Sequence, residues 1–389
     1  MKLNPSLYLR PATPFLLALA LGTFAAEEKL DITKDATHLI PVALSGYTGE
    51  AASVLRFDLE VAGFKIVGPG EAQFIVTGKN NGQVEGRVTD RINKATIMEA
   101  KAYANGSQRL QAHWLADDIV FALTGKPGIA KTKIAFKGEV GKHSEIFIAD
   151  YDGHNAVAVT RDSTIVAAPC WVPGRRILYY TSYKSGYPDI YSHDLSSGER
   201  RVFSRYPGLN TSAAVSPDGK RVAMILSKNG SPDLYVCNAD GSHLAQLTKT
   251  REDESSPCWS PDGTRICLAA RVNERRALYL VPASGGPMTR LRTEGVLNPT
   301  EPDWSPDGKT IVFTSQMGSF NICTVPASGG VAQPLKEGED PTWAPNSRTV
   351  IFTRRLKDKR ILSLLDVPTK QVKDVIQNSG SCSQPSWAK

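Results

Sequence analysis

The chain has 389 residues, 41% of them hydrophobic and 22% charged, with a formal net charge of +7. This composition excludes collagen-like, low-complexity and polytopic membrane proteins, and the length indicates two to three domains. The positive excess is modest and not gathered into one run, so no nucleic-acid partner is predicted. The 32 glycines and 25 prolines favour a turn-rich β protein over a helical bundle.

The first 25 residues have the pattern of a secretory signal peptide. Lys2 and Arg10 precede an uncharged apolar run over 14–24, and small residues follow it. We predict residues 1–25 as a signal peptide that is cleaved near Ala25. Because the apolar run is only about 11 residues long, it is too short to span a bilayer, and an exported protein that does not span the membrane is expected.

Residues 26–128 are predicted to form an α/β domain. Apolar side chains recur with helical spacing over 51–62 and over 108–123, and Gly63 and Gly125 follow these two segments. Strands are predicted at 38–44, 72–77, 83–89 and 95–103. Two helices packed on one sheet give a two-layer domain.

A repeat occupies the rest of the chain, residues 131–389. Its unit begins with an anchor strand, most often ending in Pro-x-Trp, and in three copies a Ser-Pro-Asp-Gly turn follows. The anchors fall at Trp171, Val215, Trp259, Trp304, Trp343 and Trp387, a period of about 40 to 45 residues. This period with several short strands per unit is typical of a β-propeller, in which each anchor side chain packs between neighbouring blades.

The two ends of the repeat region predict how the ring closes. The last anchor, at Trp387, has no further strands after it, while three strands at 133–137, 145–149 and 156–160 have no anchor before them. Joining the final strand to those three gives one composite blade. We therefore predict an all-β propeller of six blades that is closed by the C-terminal strand.

The sequence does not contain the usual catalytic or metal-binding motifs. Gly-x-Ser-x-Gly, His-Glu-x-x-His and Cys-x-x-Cys are all absent. Most of the six cysteines are predicted to be buried small apolar side chains. Asp303 and the acids of 251–254 are placed in inter-blade loops, where a solvated loop is favoured over a cation site. No catalytic residue, cofactor or metal is predicted.

Four segments resemble the TolB family over the whole mature chain. They are the helix at 55–64, the helix at 112–128 with the strand at 131–136 after it, the Asp-Tyr-Asp-Gly turn at 150–153, and the final Pro385-Ser-Trp387. The resemblance implies a periplasmic protein-binding scaffold of the Tol–Pal envelope system rather than an enzyme. It also implies a role in outer-membrane integrity and in constriction during cell division.

The same resemblance implies the partners. These are the peptidoglycan-associated lipoprotein Pal, at one mouth of the ring, and the inner-membrane protein TolA, through the mature N-terminus. The protein is expected to be a monomer within that complex. Residues 26–37 do not match the segment through which the family engages TolA, so the sequence leaves this second contact open.

The repeat predicts which loops share a face of the ring, and the resemblance to the TolB family implies which of the two faces binds a partner. Since the anchor strands lead into the Ser-Pro-Asp-Gly turns, the loops at 204–212, 249–256, 293–301 and 336–340 lie on the opposite face. The candidate contacts there are Arg205, Tyr206, Asn210, Arg251, Asn298 and Glu301. The alternative is an exported propeller enzyme or carbohydrate-binding protein of the envelope. It predicts acids or arginines around a ligand in the central channel, and a channel of only small and apolar side chains would oppose it.

Overall fold

The structure, a computed structural model, describes residues 37–375 and 380–389. The predicted signal peptide and nearly all of the N-terminal segment compared with the TolA-binding region lie outside the described residues. All described residues belong to one compact unit. Within it, an α/β domain is followed by a ring of blades, as the sequence predicts.

The α/β domain contains a five-stranded mixed sheet and two helices. Its elements are β1 (Ile40–Ser45), α1 (Gly49–Val61), β2 (Phe64–Ile66), β3 (Phe74–Lys79), β4 (Val84–Asp90), β5 (Thr96–Tyr103) and α2 (Gln108–Thr124). The strand order is β2-β1-β3-β4-β5, and β1 pairs in parallel with both of its neighbours. The short strand β2 is the one element of this domain that the sequence pattern did not predict.

Local chemistry explains the buried face of α1 and both ends of α2. In α1, Ala51, Val54 and Leu55 lie on the buried face with helical spacing. In α2, the side chain of Ser107 accepts a hydrogen bond from the backbone N–H of Leu110, which satisfies one of the unpaired donors of the first turn. Gly125 then ends α2 with a φ of 69°, a conformation that glycine adopts without steric cost.

Residues 133–387 form the blades, whose strands follow the chain from the inside of each blade outwards. The first three strands are β6 (Lys133–Val140), β7 (His143–Asp150) and β8 (Val157–Ala158). The second blade has β9 (Val166–Trp171), β10 (Ile177–Ser182), β11 (Asp189–Asp194) and β12 (Arg200–Ser204). The third has β13 (Asn210–Val215), β14 (Arg221–Leu226), β15 (Asp233–Asn238) and β16 (Ala245–Gln246). The fourth has β17 (Glu254–Trp259), β18 (Arg265–Val272), β19 (Arg275–Pro282) and β20 (Thr289–Arg290).

The fifth blade carries an extra two-stranded pairing on its outer side. Its segments are β21 (Thr293–Glu294), β22 (Pro299–Trp304), β23 (Thr310–Met317), β24 (Ser319–Pro326), β25 (Gly330–Val331) and β26 (Gln333–Glu337), and β21 pairs with β25. The sixth blade has β27 (Glu339–Trp343), β28 (Thr349–Leu356), β29 (Lys359–Asp366) and β30 (Gln371–Asp374), and the last strand is β31 (Cys382–Trp387).

The ring closes as the sequence predicts. Strand β31 pairs with β6, with Trp387 opposite Ile134, and the resulting sheet has the order β31-β6-β7-β8. The indole N–H of Trp387 donates a 2.8 Å hydrogen bond to the hydroxyl of Thr132. The first blade is therefore composite, and the propeller has six blades.

The anchor tryptophans pack between blades, which confirms the prediction from the repeat. Trp259 belongs to a buried cluster that includes Ile225 and Leu234 of the third blade, and its indole N–H donates to the carbonyl oxygen of Ala214 at 2.9 Å. Each blade thus covers an apolar surface that its neighbour cannot bury alone. Five of the six cysteines are buried, and Cys170 is partly exposed.

The Ser-Pro-Asp-Gly turns have a structural role, because their side chains and backbone stabilise the turn itself. In the third blade, the hydroxyl of Ser216 donates to Asp218 at 2.6 Å and accepts from the backbone N–H of Arg221 at 2.9 Å. Gly219 has a φ of 70°, which the turn requires. We call the side of the ring with these turns the turn face. The opposite side, with the inter-blade loops and the hairpins between the second and third strands of each blade, is the hairpin face.

Candidate functional site: the hairpin face and the central channel

The Asp-Tyr-Asp-Gly turn joins the first blade to the α/β domain. Tyr151 is fully buried, and its hydroxyl donates to Oδ1 of Asp58 in α1 at 2.5 Å. Nδ1 of His113 in α2 lies 2.7 Å from the other oxygen of Asp58. Arg109 of α2 forms a salt bridge with Asp152 of the same turn. This motif therefore docks the α/β domain on the ring.

Other contacts of the α/β domain come from the turn face and from the outer edge of the sixth blade. The backbone N–H of Ala130 donates to Asp117 of α2 at 2.8 Å. Lys373 in β30 pairs with Glu60 in α1. The guanidinium of Arg348, in a turn of the turn face, lies next to Gly63 at the end of α1. The α/β domain thus sits on the turn-face side, opposite the predicted partner face.

Large apolar side chains are exposed at several places on the hairpin face, in the first, second, fifth and sixth blades and in the loops before the second and fifth. Exposed fractions range from 44% for Phe320 to 75% for Tyr187. Isolated exposed apolar residues are ordinary, but a set around one mouth of a ring is typical of an interaction surface. The six members are Val140, Ile165, Tyr187, Leu297, Phe320 and Leu356.

Two of the predicted contacts lie together in the loop between the second and third blades. Arg205 is exposed, and its Nε donates to Asp189 at 2.8 Å, which orients the guanidinium. Tyr206 is half-buried, and the ammonium of Lys228 lies 4.3 Å from the centre of its ring. Both side chains are held in place by neighbours, so they form a preorganised part of the face.

Asn210 and Glu301 lie inside the fold and not on its exposed surface. Asn210 is 0% exposed, and its side chain bonds both the N–H and the carbonyl oxygen of Tyr206 at 2.8 Å. It braces the loop that presents Tyr206. Glu301 lines the central channel. Neither side chain is therefore placed on the exposed surface of the hairpin face, where the sequence analysis had put it.

Arg251 and Asn298 are exposed in separate loops. Among the described residues, Arg251 has no carboxylate partner. Asn298 has a φ of 45°, a conformation that asparagine tolerates better than most residues. The structure thus places Arg205 and Tyr206 in one loop and Arg251 and Asn298 in two other loops of the same face, while Asn210 and Glu301 lie inside the fold.

A central cavity of about 630 Å³, the channel of the ring, is lined by the innermost strand of every blade and by prolines of the turns that follow these strands. Each of these strands has a bulge, at which one residue has a positive φ between 50° and 55°. The six bulge residues are Ala168, Ser212, Ser256, Glu301, Asp340 and Gln384. We call this set the bulge ring, and its polar half faces its small half across the channel.

The polar half of the bulge ring connects consecutive blades. Oε2 of Glu301 accepts from the backbone N–H of Asp340 at 2.9 Å, and Oδ2 of Asp340 accepts from the N–H of Gln384 at 3.1 Å. Oε1 of Gln384 then accepts from the N–H of Ala168 at 2.9 Å. Sequence reasoning missed this arrangement. A signal was present, since five of the six members of the bulge ring, all but Ser212, directly precede the proline of their anchor strand.

Acids in the channel are electrostatically coupled. Burial and the neighbouring Glu301 raise the pKa of Asp340 to about 8. The placement of Asp303 in an inter-blade loop was wrong, because it lies in β22 and lines the channel. There it accepts from the backbone N–H of Trp343 at 2.7 Å and from Lys389 at 3.0 Å. Glu254 likewise is the first residue of β17 and is buried.

The channel therefore is not lined only by small and apolar side chains. Its carboxylates, however, bond backbone and hydroxyl donors of adjacent strands, which is a structural use. Among the residues that the structure describes, no group of three or more metal-ligating side chains converges. In that part of the chain no helix has the length and hydropathy that a membrane span requires.

Six blades around a channel, a ring closed by the C-terminal strand and an α/β domain on the turn face define a two-domain β-propeller protein. The sequence profile of the TolB β-propeller domain matches residues 120–389. Since this is more than half of the chain, the chain belongs to the TolB β-propeller family.

Two sets of relatives carry the name Tol-Pal system protein TolB. The protein from Polaromonas naphthalenivorans is 27% identical over 246 residues, which cover 54% of this chain and 57% of the relative. The protein from Francisella tularensis is 33% identical over 159 residues, 38% of this chain and 36% of the relative. The chain thus spans about half the length of the first of these relatives and about a third of the second.

Solved structures show the same fold. TolB from Acinetobacter baumannii superposes with a TM-score of 0.81 at 22% identity, covering 90% of this chain and 97% of that one. A putative TolB from Agrobacterium tumefaciens gives a TM-score of 0.52 at 20% identity, covering 65% and 91%. The first match extends over both the α/β domain and the ring.

Proposed function

We propose that this protein is a periplasmic protein-binding scaffold of the Tol–Pal system, without catalytic activity. After cleavage of residues 1–25, the mature chain consists of the α/β domain, 26–128, and the propeller, 131–389. The names of the relatives from Polaromonas and Francisella support membership of the Tol–Pal system. In this role the protein links the outer-membrane lipoprotein Pal to the inner-membrane Tol complex and supports envelope integrity during division.

One observation carries the choice of binding face. Six exposed apolar side chains lie on the hairpin face, while the α/β domain sits on the turn-face side. Protein interfaces combine an apolar centre with arginine and tyrosine anchors, and Arg205 and Tyr206 supply such anchors here. We therefore assign Pal to the hairpin face, with Arg251 and Asn298 in neighbouring loops as further contacts.

The contact with TolA is assigned to the mature N-terminus, which lies outside the described residues. A chain end can reach a partner without displacing one that is bound on the ring. This assignment gives the scaffold two separate binding regions, as a link between the two membranes requires.

Isothermal titration calorimetry with the periplasmic domain of the host's own Pal tests the binding face. The double substitution Leu297→Glu with Phe320→Glu places charges in the apolar belt of the hairpin face and should weaken binding by at least tenfold. The matched control, Val202→Glu with Val331→Glu, changes exposed apolar residues on outer strands and should bind like the parent protein. No detectable binding by the parent protein at high micromolar concentration would sink the proposal.

A further inference from the structure

A basic hairpin projects from the sixth blade on the hairpin face. Strands β28 and β29 are joined at Lys357 and Asp358, and the segment from Arg354 to Arg360 reads Arg-Arg-Leu-Lys-Asp-Lys-Arg. Leu356, at the tip, is 51% exposed. This hairpin therefore presents an apolar side chain within a concentrated positive charge.

The first and last arginines fix the base of the hairpin. Arg354 in β28 pairs at 2.7 Å with Asp374 in β30, the outermost strand of the blade, and Arg360 pairs with Glu339 at 3.0 Å. These ion pairs neutralise the charge near the sheet and hold the two strands in place.

The tip of the hairpin retains its charge. Arg355, Lys357 and Lys359 are exposed and, among the described residues, form no salt bridge. The single acid within the turn, Asp358, balances one of the three. An uncompensated positive field therefore extends from the tip into the solvent.

Other cations continue this field around the mouth of the ring. Several exposed lysines and arginines of the hairpin face likewise form no ion pair within the described chain; they are Lys142, Arg161, Lys249, Arg251, Arg275 and Lys336. Four acids of the same face, Asp253, Glu274, Glu337 and Asp358, are also unpaired there and only partly offset them. Of the other acids on this side of the ring, Asp189 is bound by Arg205 and Glu252 by Arg271. Glu145, Asp233 and Glu254 are buried and accept from hydroxyl, amide and backbone donors.

We propose that the hairpin face receives an acidic protein surface, with the tip of the sixth-blade hairpin as the principal electrostatic contact. This inference rests on the proposed function, since it names the chemistry of the partner's side of the same interface. The exposed apolar belt favours a folded protein over a polyanion, because a polyanion offers no apolar surface to cover Leu356 and Phe320. The positive field accelerates encounter, and the apolar contacts then hold the complex.

The test measures association rates by stopped flow with the periplasmic domain of the host's own Pal. The variant is R355E/K357E/K359E. Its matched control, K220E/R290E/K309E, makes the same change of net charge at exposed positions elsewhere on the ring. For the parent protein, raising the salt from about 20 to about 200 mM should lower the association rate about tenfold. The variant should associate at least tenfold more slowly at low salt and lose this dependence, while the control behaves like the parent.

Each other outcome overturns the inference in a distinguishable way. If the parent protein binds and the hairpin variant associates equally fast, the inference fails and the proposed function stands. If the parent protein does not bind Pal at all, both fail. If the variant loses sedimentation with vesicles of phosphatidylglycerol and phosphatidylethanolamine but keeps its association rate with Pal, the face serves an anionic membrane instead. Equal melting temperatures of parent, variant and control show that the charge changes leave the fold intact.

Discussion

The hydroxyl of Tyr151 in the first blade donates a 2.5 Å hydrogen bond to the carboxylate of Asp58 in α1. Both side chains are buried, so this bond lies where the α/β domain meets the ring. Burial and the charge of Asp58 raise the pKa of Tyr151 well above its ordinary value, which keeps the hydroxyl protonated as a donor. The Asp-Tyr-Asp-Gly motif therefore encodes domain docking and not a ligand site.

Tyr151→Phe tests this docking bond. The substitution keeps the ring but leaves a buried carboxylate with one donor fewer, so we expect a loss of about 1 to 3 kcal/mol in the free energy of unfolding. Denaturant titration measures this loss. Tyr187→Phe, at an exposed tyrosine, is the matched control and should change nothing measurable. Equal stability of the two variants would contradict the assigned role of Tyr151.

A second prediction concerns Asp340 of the bulge ring, whose substitution should lower the free energy of unfolding. Asp340→Ala removes the acceptor of the N–H of Gln384 and the hydroxyl of Thr353, and it places alanine at a φ of 55°. We expect a loss of about 1 to 3 kcal/mol. Asp340→Asn keeps an acceptor oxygen and a residue that tolerates this backbone conformation, so it should unfold close to the parent protein at neutral pH. A full loss in the asparagine variant would show that the charge, and not the hydrogen bond, stabilises the ring.

The buried carboxyl group of Glu254 should make the stability of the fold depend on pH. Burial, with a contribution from the charge of Asp233, raises its pKa to about 7. Between about pH 4.5 and 7 the folded protein therefore holds a proton that the unfolded chain has released, and stability falls as the pH rises through this window. Above pH 7 Glu254 is ionised in both the folded and the unfolded state, and the full cost of burying its charge lowers the free energy of unfolding.

Glu254→Gln removes this ionisation while keeping an acceptor for the hydroxyl of Thr248. Relative to the parent protein, the variant should gain stability progressively from pH 4.5 to 7, up to about 3 kcal/mol, and then stay level. Chemical denaturation at several pH values measures the difference, in which the other titrating groups cancel. A difference that does not change with pH would refute the raised pKa.

Substitution of Trp387, in the closing strand β31, should strongly destabilise the fold. Trp387 is 2% exposed, and Trp387→Ala removes its packing and its hydrogen bond to Thr132, at an expected cost of about 3 to 5 kcal/mol. Trp114→Ala, at a half-buried tryptophan of α2, is the control and should cost less. Thermal unfolding monitored by circular dichroism compares them. A smaller loss at Trp387 than at Trp114 would mean that the composite blade does not hold the ring closed.

The fold was largely predictable because it depends on repeated local signals. Anchor residues such as Trp259 and the Ser-Pro-Asp-Gly turns recur with the blade period. The final strand at Trp387 has no further strands of its own blade after it in the sequence, and this predicted how the ring closes. The short strand β2 was missed because three residues carry too little periodicity to read.

The candidate site was less predictable, since it depends on where side chains point. Sequence reasoning placed Asn210 among surface contacts, whereas its amide bonds the loop backbone. It placed Asp303 in a loop, because a polar residue beside a tryptophan gives no sign of facing a channel. Charge concentration on the hairpin face escaped it as well. The basic segment from Arg354 to Arg360 was overlooked, and the other cations come from separate blades and meet only in the ring.

Hydrogen exchange of the protein with and without the host's own Pal tests the central claim most directly. The account predicts slower exchange at the hairpin face, in 205–209, 316–320 and 354–360. It predicts unchanged exchange in the turns of the turn face at 216–219, 260–263 and 305–308. Protection confined to the turn face, or no protection anywhere at saturating Pal, would contradict it.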